Sequence, residues 1–570
     1  MHKMYKPVRP RPKKTDIVRS RGGCRGCRER RKKCDERKPS CSTCLKIGRL
    51  CQFVEPDLKF CIVDVPKTET QTPLESASMK KHSPTLGSSR ICPLLPPIWS
   101  SVLLGSLSHT EEFIFYSTYW EDVCLPAVHP VFRSASLLIG DHPMLSDAIM
   151  ALSSCNLSRL RPDNNRNQSR YNGASKPDIT HQKRSQIYYS SAIRKFAALN
   201  RENFQSHAEL ILTTLVLFAH IESSMGNKRG FYCHVQGLAS LFVDLSASIK
   251  LTTLKALLIS LMQVRFGVWW ARSYFCSLEI HRGLPPVPLP NILERSYSTQ
   301  EERRVVIMGI MCESHRLNFG QLFKIWSCMS QIKQTPTWDH EPNTASIIAQ
   351  FEEQAKRSDE WISHLPLSER PLGYLEPPVP HCCDPNTPVI FQSHDAALNF
   401  ACYIVGRIMQ SSALMGSLQS GKDSNLENDC SREEPWVHLL LRIAQGIDLQ
   451  TSTTKNNYTV GFSGLLLAAI LRCDSLALSM EIQHWLGRLR ELQPTEEGAF
   501  PVNQSFGVVK AINNQRLMGR QVFGVTQLVD DAGGNPKYTS YNSQSINTLL
   551  FHGRCQATGG LFTETVSIEL

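Results

Sequence analysis

Six cysteines fall between Cys24 and Cys51, in CRGCRERRKKCDERKPSCSTCLKIGRLC, with gaps of two, six, six, two and six residues. One unit, C-x2-C-x6-C, is written twice at an offset of 17: Cys24, Cys27, Cys34, then Cys41, Cys44, Cys51. Two thiolates separated by two residues can grip one metal ion from a tight turn, and a third closes toward a tetrahedral shell. Two tetrahedral zinc ions need eight ligand positions, which six thiolates supply only if two of them bridge. Two separate three-thiolate sites with open positions would be the catalytic alternative. No His, Asp or Glu sits where a fourth ligand or a general base would be expected, apart from Asp35 and Glu36 beside Cys34.

The residues between the cysteines differ from one unit to the other. RERRKK places Arg28, Arg30, Arg31, Lys32 and Lys33 between Cys27 and Cys34, whereas LKIGRL carries only Lys46 and Arg49 among Leu45, Ile47 and Leu50. The halves share a metal scaffold but not a surface, so the first is expected to face a polyanion and the second to pack. A zinc-stapled module with a merely solvated basic face is the plainer alternative.

The segment resembles the fungal zinc binuclear cluster (Zn(II)2Cys6) DNA-binding domain. The resemblance rests on the six cysteines with Arg28, Arg30, Arg31, Lys33, Asp35, Lys38, Pro39 and Gly48. It implies two zinc ions per chain, with Cys24 and Cys41 as bridging thiolates and Pro39 shaping the loop between the halves. It also implies a module of two short helices that binds CGG-type triplets of double-stranded DNA in the major groove, where Arg30 and Arg31 approach the bases. Arginine suits bidentate bonds to guanine O6 and N7. Arg28 and Lys33 are read as phosphate contacts, which set position without reading sequence.

Charge points the same way. Residues 1–60 carry 19 Lys or Arg against six Asp or Glu, a balance of +13, while the whole chain is +12. The remaining 510 residues therefore sum to about −1, and the positive excess sits on the cysteine-bearing tenth of the chain. Such a footprint predicts salt-dependent binding to nucleic acid. RPRPKK (9–14) and RERRKK could also serve nuclear import, and a nuclear location is expected. Fourteen further cysteines are scattered without a repeated spacing, which argues against a disulfide framework and for a reducing compartment. The basic, proline-broken start lacks an apolar signal segment, and no run of 18 apolar residues suggests a membrane span.

The elements that must carry this module follow from composition. Residues 1–20 read as a basic tail, 21–54 as the DNA-binding domain, and 55–105, rich in Pro, Ser, Thr and Lys, as a flexible linker. Only 14 residues separate Cys51 from Pro66, too few for the heptads of a coiled coil, so a homodimer would not form through an obvious coiled coil. Residues 106–493 read as a large, mostly all-α domain, and 494–570, where period-2 alternation appears, as a C-terminal segment completing it. Helical spacing is clearest in FIFYSTYW after Ser108 and Glu111, in the stretch opened by Asp141 and Pro143, and in HQKRSQIYYSSAIRKFAAL, HAELILTTLVLFAHIES and FYCHVQGLASLF. It returns in LKALLISLMQVRFGVWWARSYF, HDAALNFACYIVGRIM, PWVHLLLRIAQGI and GLLLAAILRCDSLALSMEIQHWLGRL. This body is similar to the regulatory fungal-specific transcription factor domain in the order and texture of its segments, which implies a helical fold and no active site.

Other constellations favour plain readings. His381, Cys382 and Cys383 lie in a Pro-rich loop, His220, His234 and His281 lie among apolar residues as partnered core histidines, and Trp269 and Trp270 pack. DSNLENDCSREEPW (423–436) reads as a solvated loop rather than an activation segment. Phosphate-binding glycine loops, H-E-x-x-H and G-x-S-x-G are absent, so no enzyme activity is expected. The expectation is a sequence-specific regulator of RNA polymerase II transcription, with double-stranded DNA, the transcription machinery or co-regulators, and a small-molecule effector as partners. The alternative is a metabolite-acting enzyme or scaffold tethered to chromatin by the cluster.

Overall fold

A computed structural model of the chain describes residues 24–30, 32, 34–35, 37, 40–48, 51, 109–137, 141–160, 177–200, 204–274, 286–330, 344–373, 387–411, 433–492, 496–498, 500–528 and 548–569. The basic tail (1–20), the linker (55–105), residues 161–176 of the polar stretch RPDNNRNQSRYNGASKPD (161–178), which reads as a loop, His281, the His381–Cys383 group and most of the acidic stretch lie outside the described residues. The chain divides into two compact units, Met1–Lys80 and Lys81–Leu570. The first holds α1 (Arg25–Glu29) and α2 (Ser42–Lys46), and its buried core consists of cysteine.

The second unit is largely helical. It opens with α3 (His109–Tyr119), which widens into a π-turn at Trp120–Cys124, followed by α4 (Phe132–Ser136) and α5 (Pro143–Leu160). Pro143 sits in the first turn of α5, where its missing amide costs nothing. Next come α6 (Ile179–Ala197), capped by Asp178, which accepts from the Thr180 amide at 2.8 Å, and α7 (Ala208–Ser224). Gly226, at φ 68°, turns the chain into α8 (Lys228–Leu245). A side chain there would be strained.

α9 (Leu251–Tyr274) holds two cores together. Leu254, Leu257, Leu261, Val264 and Val268 face a core built from α3–α8. Ile259, Met262, Phe266, Trp269 and Trp270 face a second core built from everything that follows. Both sets run at three- and four-residue intervals, so one helix carries two apolar stripes. This helix is long and apolar enough by composition to cross a membrane, contrary to the expectation that no segment would be; the two cores it joins account for its apolarity.

The second core surrounds α10 (Gln300–Ser330), which the pattern reading passed over. Its apolar residues occupy all sides, so no single stripe marks it. Its buried Arg303 pairs with Glu369, and its half-buried Arg304 with Asp395 at 2.6 Å and Asn399 at 2.8 Å. Around it lie α11 (Thr344–Ser363), α12 (His394–Met409), α13 (Glu434–Gln445), α14 (Leu449–Lys455), α15 (Phe462–Ile470) and α16 (Leu476–Glu491). The run GLLLAAILRCDSLALSMEIQHWLGRL is thus two helices, parted at Arg472–Ser475.

Every residue of α15 is buried, so its ends need partners from elsewhere. At the start, the Glu497 carboxylate accepts from the amides of Phe462 (2.8 Å) and Ser463 (2.6 Å). At the end, Arg516 donates to the carbonyls of Ile470 (2.6 Å) and Cys473, and Arg472 to that of Leu471 (2.8 Å). Anion at the N-terminus and cations at the C-terminus also match the helix dipole. Glu497 belongs to a small antiparallel hairpin, β1 (Glu496–Glu497) and β2 (Phe500–Pro501), turned by Gly498 at φ 65°.

The chain continues through α17 (Val502–Leu517) into an antiparallel sheet in the order β3 (Arg520–Thr526), β4 (Thr548–Cys555), β5 (Leu561–Ser567). A bulge between Val522 and Gly524 interrupts β3. A Cβ at Gly524 would lie 2.7 Å from the Phe323 ring, so glycine there lets α10 approach the sheet.

Candidate metal centre and nucleic-acid interface

Each repeat begins its helix in the same way. Cys24 precedes α1 and Cys41 caps α2, with the second cysteine of each unit three residues on. The Cys44 amide donates to the Cys41 sulfur at 3.3 Å, and the Cys41 amide to the Cys51 sulfur at 3.2 Å. Gly48, at φ 61°, reverses the chain after α2 toward Cys51.

The sulfurs gather into two quartets, Cys24–Cys27–Cys34–Cys41 and Cys24–Cys41–Cys44–Cys51. Within each, all ligand atoms lie within 4.8 Å of one another, and Cys24 and Cys41 belong to both. Cys24 Sγ is 3.7 Å from Cys41 Sγ and 3.5 Å from Cys44 Sγ, and Cys27 Sγ is 3.6 Å from Cys41 Sγ. Tetrahedral zinc with bonds of about 2.3 Å places its sulfurs about 3.8 Å apart. The donor set therefore fits two such ions, four sulfurs each.

Burial pushes the Cys27 thiol up to about 12, helped by its sulfur neighbours, and raises that of Cys44 as well. At Cys24 and Cys41 the same burial is outweighed by hydrogen bonds, first among them those from the amides of Cys27 and Cys44, and both thiols are lowered. The two shared sulfurs are thus the readiest thiolates, while Cys27 and Cys44 hold their protons until a cation displaces them.

Asp35, an oxygen donor considered for the site, is engaged elsewhere. Its carboxylate accepts from the Ser42 amide at 3.1 Å and from the Ser42 hydroxyl. Those bonds, the hydroxyl's first, hold its pKa below the ordinary aspartate range. Asp35 thereby ties the end of the first unit to the first turn of α2.

The basic side chains are placed unevenly. Lys32 is exposed. Arg30 is half-buried and turns back: its Nε donates to the Gly26 carbonyl at 2.8 Å, and its Nη2 lies 3.9 Å from Cys27 Sγ and 3.7 Å from Cys44 Sγ. The side chain of Arg28, and Arg31 and Lys33 entirely, lie outside the described residues. In the second unit Leu45 and Ile47 are 68% and 45% exposed, where packing was expected. A five-residue helix that buries only Cys44 leaves no inner face for them.

In the larger unit the plainer readings hold for the described residues. His220 Nδ1 bonds the Val216 carbonyl at 3.0 Å, His234 Nε2 bonds the Tyr189 hydroxyl at 2.7 Å, and Trp269 and Trp270 lie in the second core.

Residues 22–59 match the family described as the fungal Zn(2)-Cys(6) binuclear cluster domain. That domain binds two zinc ions, in agreement with the two quartets. Over 39 residues the chain is 62% identical to the pestheic acid cluster transcriptional regulator 3 of Pestalotiopsis fici. Over 47 residues it is 45% identical to a Zn(2)-C6 fungal-type transcription factor of Gibberella zeae and 47% to the transcriptional regulatory protein pro1 of Neurospora crassa. These matches span 7–8% of this chain and 7–10% of each relative. No solved structure matches the chain.

Proposed function

We propose that this chain is a sequence-specific DNA-binding regulator of RNA polymerase II transcription that acts in the nucleus. Cys24, Cys27, Cys34 and Cys41 hold one zinc ion, and Cys24, Cys41, Cys44 and Cys51 the other, with Cys24 and Cys41 bridging. The ions supply the cross-link that a module of about 30 residues without an apolar core needs in order to fold. The basic segment Arg28–Lys33, apart from the inward-turned Arg30, then faces the major groove of CGG-type triplets, phosphate contacts fixing register and arginine reading guanine. Residues 106–493 serve as a fungal-specific regulatory domain, which receives co-regulators or a small-molecule effector. Domain limits at 21–54 and 55–105 for the reader and linker belong to the same reading.

The observation that carries this is the pair of four-sulfur groups sharing Cys24 and Cys41, in a sequence that sets five cations in the six residues between Cys27 and Cys34. The full chain should contain two zinc ions and enrich CGG triplets from a pool of random duplexes. Zinc-loaded protein that enriches no sequence would sink the DNA-reading role, and a zinc-free chain the cluster itself.

A further inference from the structure

We infer that Arg30 serves the metal cluster rather than the DNA, as a clamp across its two halves. The inference rests on the two-zinc reading given above. Cys27 belongs only to the first sulfur quartet and Cys44 only to the second, and Arg30 Nη2 lies against both. One amino group with two hydrogens thus faces one terminal ligand of each quartet. The Nε–H bond to the Gly26 carbonyl fixes the guanidinium in place, four residues back along α1.

Two divalent ions and six thiolates leave a net charge of roughly −2 on the cluster. A half-buried cation at its terminal sulfurs offsets part of that charge. Hydrogen bonds to a metal-bound thiolate draw electron density from sulfur, which makes it a poorer nucleophile and slows its exchange. Lysine cannot reproduce the arrangement, because an ammonium is a compact point charge without arginine's planar fork. Of the two cations between Cys27 and Cys34 whose side chains are described, Arg30 is directed inward, whereas Lys32 stands exposed.

The test uses the zinc-loaded full chain as wild type, Arg30→Ala, Arg30→Lys and, as a control, Lys32→Ala. Three quantities are measured without DNA: zinc per chain, the rate of zinc transfer to a chromogenic chelator, and iodoacetamide alkylation of each cysteine by mass spectrometry. Arg30→Ala should release zinc about tenfold faster, the loss typical of removing an outer-shell partner. Alkylation should rise first at Cys27 and Cys44, ahead of Cys34 and Cys51. Arg30→Lys should fall between Ala and wild type, and Lys32→Ala should match wild type. If Arg30→Ala cannot hold two ions while Arg30→Lys holds them and releases them faster than wild type, the clamp also stands. Wild-type release and alkylation in Arg30→Ala, with only DNA affinity reduced, would make Arg30 a DNA contact and overturn the inference alone. A wild-type chain without zinc would remove the underlying reading instead.

Discussion

The Asp35 carboxylate takes both the amide and the hydroxyl of Ser42, joining two residues that flank different halves of the cluster. The bond caps α2 from outside that helix and keeps Asp35 from acting as a metal ligand. Asp35→Ala should leave two zinc ions bound yet raise hydrogen exchange at the Ser42 amide several-fold, with Asp35→Asn in between. Loss of one zinc ion in Asp35→Ala, with exchange at Ser42 unaltered, would mean that this carboxylate serves the metal.

The shared and unshared cysteines should behave differently. Cys41→Ala removes a sulfur from both quartets, and Cys51→Ala from only one. Native mass spectrometry of the full chain should find Cys41→Ala without zinc and Cys51→Ala retaining up to one ion. Equal retention in the two variants would argue against sharing.

Glu497 should matter to the larger unit more than any surface acid. Glu497→Ala leaves the amides of Phe462 and Ser463, the Ser452 hydroxyl and the Asn456 amide without their acceptor, all of them buried. A cost of about 3 kcal/mol is expected, as for a broken buried network with a charged member. Glu497→Gln, which keeps one oxygen, should cost less. A urea titration followed by tryptophan fluorescence reads the larger unit alone, because the chain has no tryptophan before residue 99.

Acid should weaken the same unit before it protonates most carboxylates. Burial pulls His220, His234 and His552 down to about 4, from an ordinary value near 6.5. Between those values the unfolded chain takes up protons that the folded one refuses, so stability falls as pH drops from about 6.5 toward 4. Each histidine adds about 1.4 kcal/mol per pH unit to that slope. The His220→Phe variant should flatten the slope by about one histidine's share. An unchanged slope would show that His220 is already protonated in the folded unit.

What the sequence disclosed follows from how local each signal is. The cysteine spacing is a local pattern, and so is the apolar stripe of α12, whose span His394–Met409 coincides with the quoted run HDAALNFACYIVGRIM. α10 escaped notice because burial on every side erases periodicity. The break between α15 and α16 was hidden because Arg472 and Arg516 complete the first helix from positions that sequence spacing does not connect. The cysteines announced a metal site, but the direction of Arg30 depends on where α2 folds back, which no spacing encodes.

The sheet at the C-terminal end of the described chain covers a helix made some 200 residues earlier: Phe523 packs on Trp326, and the Phe323 ring lies at the bulge beside Gly524. Farther back, Asn156 waits for the hydroxyl of Tyr458. Most of the chain is thus synthesised before the sheet that covers this flank of α10 exists. A chain ending before β3 would therefore leave that flank of α10 without its cover, and such uncovered apolar surface favours aggregation.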